Sequence, residues 1–485
     1  MSTTKGVKEI VETNVSRRGF MGLGVFAGGA LTLGALMGAD AKEAQAKTYD
    51  SIDDMIEINP DEFERYDGYR VAFYHGNAYR EGVTPPWPVG PQEGDDELWI
   101  RAELGDVTKS FEDGDPGYTQ IDKAFFMGGQ GTQLATLSNH TAGTDSWDSS
   151  IHLQQPDGRW VAQGLYGQET ASFLGAYPGS FDVAEEKWEF ASPADASYAV
   201  KKAAKVYGAD LVGIAPYDER FIFKSEMFQP IGTDELQTDW ERPIEFDFDC
   251  KSVVVLIHEM DYQAMKTAGG QAEVGATMMG YARMATQSQR TATFLRHLGY
   301  HTYHCGNNVS PSVAEAIRAG LGEGGRNSIL ITKEFGPRVR ISKVYTDLEC
   351  EYDKPTSFGV TEFCEVCQVC TDNCPSGAIS SMSINDPENK PVNRCSQAGV
   401  KKYYLNAQKC YYQWNVMGPN YGPNDCGICI TVCPYNKPQT WNHDLVKVVT
   451  LVPGLNRLAR YFDHFFGFGH LATKDELVDF WVRDI

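Results

Sequence analysis

The strongest periodic patterns lie in the middle of the chain. Apolar residues at helical spacing predict a helix over Ala196–Tyr207, and the short apolar run that follows predicts a strand over Asp210–Ala215. The β-branched run Ser252–His258 predicts a buried strand, and helical spacing returns over Ala276–Leu298. Helices and strands therefore alternate along this part of the sequence.

The alternation continues to about residue 357. Ser310-Pro311 predicts the cap and first residue of a helix that ends at Gly320, and strands are expected over Ser328–Thr332 and Arg338–Tyr345. The whole pattern predicts a mixed core, of the α/β or the α+β class, over residues 195–357.

The first 46 residues have the pattern of an export signal. Paired Arg17-Arg18 precedes an uncharged stretch, Gly19–Ala39, that contains seven glycines, and the small-residue site Ala44-Gln45-Ala46 follows. The paired arginines predict a twin-arginine signal peptide over residues 1–46, cleaved after its last alanine. An uncleaved membrane anchor is the alternative that the length of the stretch permits.

Two further regions flank the predicted core. Residues 47–194 are rich in aromatic residues, Gly, Pro and Asp, which predicts a loop-rich N-terminal region. Residues 441–485 are expected to form a separate C-terminal segment, in which Pro453-Gly454 precedes the helical-looking run Leu455–Phe466. The 485 residues, 42% of them hydrophobic, are enough for several domains of ordinary size.

Charge narrows the choice of partners. The chain has 43 Lys and Arg against 65 Asp and Glu, which gives a formal net charge of -22. Proteins that bind nucleic acid present basic patches to the phosphates, so this balance argues against nucleic acid as a partner. After the signal, no uncharged run approaches the ~20 residues that span a bilayer, so membrane attachment would need a separate anchor protein.

Cysteine is the residue type that carries chemistry in this sequence. Nine of the twelve cysteines fall between Cys364 and Cys433, and such clustering indicates metal ligation rather than disulfide pairing. The run from Cys364 to Pro375 has the bacterial ferredoxin spacing C-x2-C-x2-C-x3-C-P, and the run from Cys426 to Pro434 repeats most of it. In such proteins the fourth cysteine of a run ligates the other cluster.

These spacings predict two [4Fe–4S] clusters with crossed ligands. The first predicted set of ligands is Cys364, Cys367, Cys370 and Cys433. The second predicted set contains Cys374, Cys426 and Cys429, and spacing leaves its fourth member open between Cys410 and Cys395. A pair of structural zinc sites is the alternative, which the crossed spacing and the two prolines disfavour.

Five segments together resemble the respiratory reductive dehalogenases, and in particular their tetrachloroethene-type members. They are GADLVGIA (208–215), GYARM (280–284), AGLGEGGR (319–326), EFGPRVRISKVYTD (334–347) and FGVTEFCEVCQVC (358–370). The resemblance implies a nitroreductase-like corrinoid-binding core over 195–357 and a ferredoxin-like module with two [4Fe–4S] clusters over 358–440. It also implies an enzyme that removes halide from an organohalide with Co(I) cobalamin, to which the clusters supply electrons.

The resemblance further assigns roles to individual residues. The tyrosine that supplies the replacing proton falls on Tyr281, and its arginine and asparagine companions fall on Arg340 and Asn307. A fixed guanidinium stabilises a developing phenolate, which explains why an arginine accompanies the tyrosine. The fourth ligand of the second cluster falls on Cys410. The implied corrinoid contacts are Gly320, Gly322 and Glu323.

The chain departs from the tetrachloroethene-type members near the expected substrate site. Tyr403, beside Tyr404, stands where those enzymes carry a tryptophan, which leaves halogenated aromatics open as substrates beside haloalkenes. The chain also lacks the DxHxxG pattern by which some corrinoid proteins supply a histidine to cobalt, since residues 463–467 (DHFFG) are one residue short of it. The implied cobalt therefore has no histidine ligand.

The expected partners follow from these assignments. They are an organohalide substrate, a small integral membrane anchor protein and a quinol-linked electron donor, and a homodimer is compatible with the resemblance. We expect the exported protein in the periplasm, attached peripherally to the outer face of the cytoplasmic membrane. Two alternatives stay open. One is an epoxyqueuosine-reductase-like enzyme acting on tRNA, which the negative charge disfavours, and the other is a two-cluster electron-transfer protein without corrinoid.

Overall fold

The computed structural model describes ten stretches of the chain. They are 46–70, 94–103, 106–126, 150–154, 160–164, 183–227, 241–307, 309–417, 425–438 and 469–482. The predicted signal peptide, apart from its last residue, and the predicted helix over Leu455–Phe466 lie outside the described residues.

The described elements are mostly short, apart from one long helix. The strands are β1 (Lys47–Thr48), β2 (Ser150–Gln154), β3 (Trp160–Gly164), β4 (Leu211–Pro216), β5 (Ser225–Met227), β6 (Glu241–Pro243), β7 (Ser252–Glu259), β8 (Thr302–Cys305), β9 (Glu323–Gly324), β10 (Leu330–Ile331), β11 (Val339–Thr346) and β12 (Thr356–Ser357). The α-helices are α1 (Ile52–Met55), α2 (Glu97–Glu103), α3 (Pro193–Val206), α4 (Tyr262–Met265), α5 (Gln271–Arg296), α6 (Ser312–Arg318), α7 (Val360–Cys367), α8 (Val369–Asp372), α9 (Ala407–Met417), α10 (Ile428–Thr431) and α11 (Lys474–Asp479). Short 3-10 helices cover Gly68–Arg70 and Glu219–Phe221.

A four-stranded sheet forms the centre of the fold. Its strand order is β4-β7-β11-β8, and every neighbouring pair runs antiparallel. The strands predicted over 210–215, 252–258 and 338–345 correspond to β4, β7 and β11, whose ends lie within one residue of the prediction. Antiparallel pairing places the core in the α+β class, one of the two classes that the sequence pattern allowed.

Helices cover both faces of this sheet. Val254 and Leu256 of β7 pack with α3 and α5 in one core, whereas Val253, Val255 and Ile257 pack with α6 in the other. Side chains of a strand alternate between the two faces, and here both faces are buried. The strand is therefore apolar along almost its whole length, which is why its sequence predicts it so clearly.

Helices α3 and α6 are two of the helices whose starts differ from the prediction. Helix α3 begins three residues early, because Ser192 caps it and Pro193 takes its first position. The prediction that Ser310 caps α6 is wrong. Pro311 holds the cap position without a side-chain bond, and the Ser310 hydroxyl lies 2.5 Å from the Tyr345 hydroxyl instead.

The described N-terminal segments lie against later parts of the chain. β1 pairs with β12 in an antiparallel ladder. The carboxylate of Asp95 forms an ion pair with Arg394 at 2.9 Å, and the indole Nε1 of Trp481 donates to Asp122 at 2.7 Å. The domain boundaries proposed from the sequence stay predictions.

None of the helices in the described stretches combines the length and the apolar character that crossing a bilayer requires.

Candidate active site

Tyr281 lies in the middle of α5, where it is buried. Its ring packs with Phe126, Val274, Met278 and Met284 in a small apolar cluster, and only 7% of its surface is exposed. Helical spacing places the cluster residues of α5 on one face, so packing fixes the position of the phenol.

Arg340 lies on β11, on the sheet face that α5 covers. The central carbon of its guanidinium lies 4.7 Å from the centre of the Tyr281 ring, which is a cation–π contact. Gly280 permits this approach, because a Cβ at that position would lie 2.8 Å from Cγ of Arg340. The arginine therefore meets the face of the tyrosine ring.

Asn307 follows the end of β8 and reaches the tyrosine hydroxyl. Its Nδ2 donates to the Tyr281 oxygen at 3.4 Å, and its Oδ1 accepts from the Ser312 hydroxyl at 3.5 Å. The structure thus brings together Tyr281, Arg340 and Asn307, which the resemblance had assigned to one site.

The surroundings of Tyr281 act on its pKa in opposite directions. Burial raises the pKa and is the largest influence, and the negative charge of Asp425 raises it further. The positive charge of Arg340 and the hydrogen bond from Asn307 both lower it, because each stabilises the phenolate. The net direction is upward, so the phenol is protonated at neutral pH and has a proton to donate.

Three polar residues of this site were missed by the sequence reasoning. Arg340 Nη2 donates to Thr277 Oγ1 at 3.1 Å and forms a short ion pair with the buried carboxylate of Asp425. The Thr277 hydroxyl in turn donates to Glu273 at 3.1 Å. Glu273, Thr277 and Tyr281 recur at every fourth position of α5, a helical spacing that could have identified them.

One hydrogen-bond donor of Arg340 has no partner among the described residues. The Nε atom of Arg340 is buried and has no hydrogen-bond partner within the described residues. Buried donors are normally paired, so this atom can serve a ligand that enters beside Tyr281.

The four cysteines of the first predicted set lie together. Burial and then the neighbouring thiols of Cys367, Cys433 and Cys370 raise the pKa of Cys364. Burial and then Cys367 and Cys370 likewise raise the pKa of Cys433. Two distant runs of the sequence therefore meet at one place, as the crossed spacing requires.

The second predicted set also lies together, and Cys410 lies with it. Burial and then Cys429 and Cys374 raise the pKa of Cys410, and burial and then Cys410 raise the pKa of Cys426. Cys395 lies elsewhere. Burial raises its pKa to about 12, and the strongest charges acting on it are those of Arg394 and Asp95. Cys410 thus lies with the other members of the second set, and its role as the fourth ligand stays a prediction.

A glycine ties this second set to the active site. Gly427, between Cys426 and α10, has a φ of +58°, and an added Cβ would collide with the carboxylate of Glu273. The loop that carries the second set therefore packs directly on α5, and Asp425 of the same loop contacts Arg340.

The two cysteine sets fit [4Fe–4S] clusters by the chemistry of their donors. None of the twelve cysteines is in a disulfide. Within the part of the chain that the structure describes, no three His, Cys, Asp or Glu side chains converge on a single metal ion. Clusters are held by four thiolates each, and binding of iron to the thiolates would offset the burial that raises their pKa values.

The three implied corrinoid contacts have roles inside the fold. A Cβ on Gly320 would lie 2.5 Å from the Lys354 carbonyl oxygen, and a Cβ on Gly322 would collide with the carbonyl of Ile331. The buried Glu323 carboxylate accepts the backbone N–H groups of Phe358 and Val360 at the start of α7. Packing explains all three residues, and the contact with a corrinoid stays a prediction.

Tyr403 lies near the first cysteine set. Its hydroxyl donates to Glu365 at 2.7 Å and to the Thr361 carbonyl at 3.0 Å, and both acceptors belong to α7. Tyr404 donates to the Val400 carbonyl at 2.8 Å. These hydrogen bonds attach Tyr403 to α7, and its place near the substrate site stays a prediction. Residues 463–467 lie outside the described stretches.

Comparison with known proteins identifies relatives along most of the chain. The chain is 39% identical over 326 residues to a tetrachloroethene reductive dehalogenase of Desulfitobacterium hafniense (strain Y51), covering 61% of this chain and 58% of that protein. It is 28% identical over 497 residues to a tetrachloroethene reductive dehalogenase of Sulfurospirillum multivorans, covering 96% of this chain and 93% of that protein. The first match thus spans less than two thirds of the relative's length.

A solved structure shows a similar fold. A catabolic reductive dehalogenase in complex with 3-bromo-4-hydroxybenzoic acid superimposes with a TM-score of 0.59 at 19% identity, over 90% of this chain and 50% of that chain. No protein-family model matches the sequence. Sequence and fold thus lead to the same group of proteins.

Proposed function

We propose that this chain, a relative of the reductive dehalogenases in sequence and in fold, is an enzyme that removes halide from an organohalide. The net reaction takes an organohalide, two electrons and one proton to the dehalogenated product and a halide ion. The carbon–halogen bond breaks, a carbon–hydrogen bond forms, and the halogen leaves with the electron pair. The site must therefore provide a proton and a path for electrons.

The arrangement around Tyr281 carries the proposal for the proton. Its phenol is buried and protonated, because burial raises its pKa, and it can give that proton to the carbon that loses halide. Arg340 and Asn307 stabilise the phenolate that remains. Arg340 keeps its own charge throughout and so does not compete for the proton.

The two cysteine sets carry the proposal for the electrons. The first set, Cys364, Cys367, Cys370 and Cys433, would hold one [4Fe–4S] cluster. The second set, Cys374, Cys410, Cys426 and Cys429, would hold another. When bound, a corrinoid supplies the reduced metal that breaks the carbon–halogen bond, and the two clusters supply its electrons. Asp425 joins the loop of the second set to Arg340, so this cluster site is the one next to Tyr281.

The substrate class is proposed as haloalkene or halogenated aromatic. The relatives that support haloalkenes are named for tetrachloroethene, and the structural neighbour that supports aromatics holds a brominated hydroxybenzoate. We further propose export by the twin-arginine route, peripheral attachment to the membrane through a small anchor protein, and a quinol-linked electron donor. The signal-like residues 1–46 are the observation behind these last proposals.

Halide release from the holoenzyme tests the proposed function. The purified anaerobic protein is supplied with a reduced low-potential dye and either tetrachloroethene or 3-bromo-4-hydroxybenzoic acid, and free halide is measured. Tyr281→Phe removes only the hydroxyl, and a lost general acid lowers turnover by roughly 100-fold or more. Iron and cobalt content should match the wild-type protein.

Tyr300→Phe is the matched control. Tyr300 is a buried tyrosine whose hydroxyl donates to the Trp188 carbonyl at 2.7 Å, away from the site, so this variant should keep its turnover. Wild-type turnover in Tyr281→Phe would exclude the proton-donor role. No halide from the wild-type protein with either substrate class, despite a full cofactor load, would refute the proposed function.

A further inference from the structure

Arg326 is a buried arginine beside the first cysteine set. It is 2% exposed, and its Nε donates to the carbonyl oxygen of Cys364 at 2.9 Å. Its Nη1 donates to the carbonyl oxygens of Ser380 at 2.9 Å and Met382 at 2.6 Å. The guanidinium also stacks on Tyr403, with its central carbon 4.4 Å from the ring centre. These contacts fix the cation in place.

The partners of this cation are neutral, and one of its donors has none. The acceptors are three backbone carbonyls, and Nη2 has no hydrogen-bond partner within the described stretches. Glu365 is a nearby carboxylate, but it is linked to Arg326 through the hydroxyl and ring of Tyr403. A buried charge is costly unless an opposite charge compensates it. The environment therefore calls for an anion near the guanidinium.

The second cysteine set has a carboxylate beside it, that of Asp425, which forms an ion pair with Arg340. The buried Asp425 precedes Cys426 and accepts its backbone N–H at 2.7 Å. Burial raises the pKa values of Cys410, Cys426, Cys429 and Cys370; the charge of Asp425 adds to this rise for the first three, whereas the charge of Arg326 opposes it for Cys370. The two sets are thus chemically alike in ligands and different in electrostatic surroundings.

We propose that Arg326 is the buried counter-charge of the first [4Fe–4S] cluster and holds its reduction potential above that of the second cluster. The inference rests on the cluster part of the proposed function and not on the corrinoid. A cluster with four thiolates is an anion, and reduction makes it more negative by one charge. A fixed cation beside it stabilises the reduced state more than the oxidised state, which raises the potential. The negative charge of Asp425 has the reverse effect on the second cluster, because it disfavours the reduced state and so lowers the potential.

A redox titration of the holoenzyme, followed by electron paramagnetic resonance, tests the inference. Arg326→Gln should lower the potential of one cluster and leave the other unchanged. We expect at least a tenfold change in the reduction equilibrium, which is about 59 mV for a one-electron couple. Arg326→Lys keeps the positive charge, so the potential of this cluster should stay close to the wild-type value. Asp425→Asn should raise the potential of the other cluster.

Two further variants keep the test decisive. If Arg326→Gln does not fold, Glu365→Gln removes the carboxylate at a partly exposed position and should raise the potential of the first cluster. Arg220→Gln removes an arginine paired with Asp53 and Asp218 at the surface, and both potentials should stay at their wild-type values.

The outcomes separate this inference from the proposed function. Clusters that are present, with both potentials unchanged in Arg326→Gln and in Glu365→Gln, would overturn the role of Arg326 and leave the dehalogenase proposal intact. A protein that holds no iron–sulfur cluster would overturn both. If Arg326→Gln lowers the potential of one cluster as expected, but the wild-type protein has no dehalogenase activity, the role of Arg326 is supported and the proposed function is refuted.

Discussion

Glu323 gives the protein a stability that depends on pH. The carboxylate is 1% exposed and accepts the N–H groups of Phe358 and Val360 just before the first cysteine run. Burial raises its pKa from 4.5 to about 7, against the lowering effect of those two backbone donors. The folded state therefore binds the proton more tightly than the unfolded state does.

The direction of the effect follows from this shift. The stabilisation is fully present below the unfolded pKa of 4.5 and is lost as the pH rises through the folded pKa of about 7. Between pH 5 and pH 8, which covers most of this titration, the folded protein should lose roughly 2–3 kcal/mol of stability through this one group, since each unit of pKa difference corresponds to about 1.4 kcal/mol. Glutamine at position 323 cannot ionise, so its contribution to the stability does not change over this pH range.

Denaturation of the two holo-proteins measures this loss. Urea unfolding of wild type and Glu323→Gln is followed by circular dichroism, under anaerobic conditions, at several pH values from 5 to 8. Loss of clusters with pH is common to both proteins and cancels in the difference. The unfolding free energy of Glu323→Gln relative to wild type should rise by roughly 2–3 kcal/mol across this range. Glu349→Gln, which removes an exposed carboxylate, should follow wild type.

A difference that stays constant from pH 5 to pH 8 would refute this reasoning. It would mean that the two backbone donors hold the carboxylate ionised in the folded protein despite its burial.

Two other predictions concern the site and its cluster ligands. Gly280→Ala should lower turnover while the iron content stays normal, because the new Cβ would displace Cγ of Arg340 from beside Tyr281; unchanged kcat would show that the arginine can move without consequence. Cys410→Ser should remove the signal of one cluster, whereas Cys395→Ser should keep both, as measured by iron content and electron paramagnetic resonance; the reverse result would assign the fourth ligand to Cys395.

Sequence patterns predicted the parts of the fold that local chemistry decides. The strand β7 is buried on both faces, so its run of Val, Leu and Ile could be identified without knowledge of its neighbours. Whether β7 pairs with parallel or antiparallel neighbours could not be predicted, because an apolar strand is compatible with both. Helix α5 begins at Gln271, five residues before the prediction, because its first turn is buried and includes the polar Glu273.

The candidate site could be predicted only where a motif carries it. Cysteine spacing grouped the ligands, because short spacers restrict which thiols can meet. Tyr281, Asn307 and Arg340 are far apart in sequence, and only a family resemblance indicated that they share a site. Asp425 and Arg326 were missed, since their roles depend on long-range partners that no local spacing records.

The ratio of cobalt to iron in the anaerobically purified protein tests the central proposal most directly. One corrinoid and two [4Fe–4S] clusters predict about one cobalt for every eight irons. Iron at that level without cobalt, persisting after refolding with cobalamin, would contradict the account and leave an electron-transfer protein.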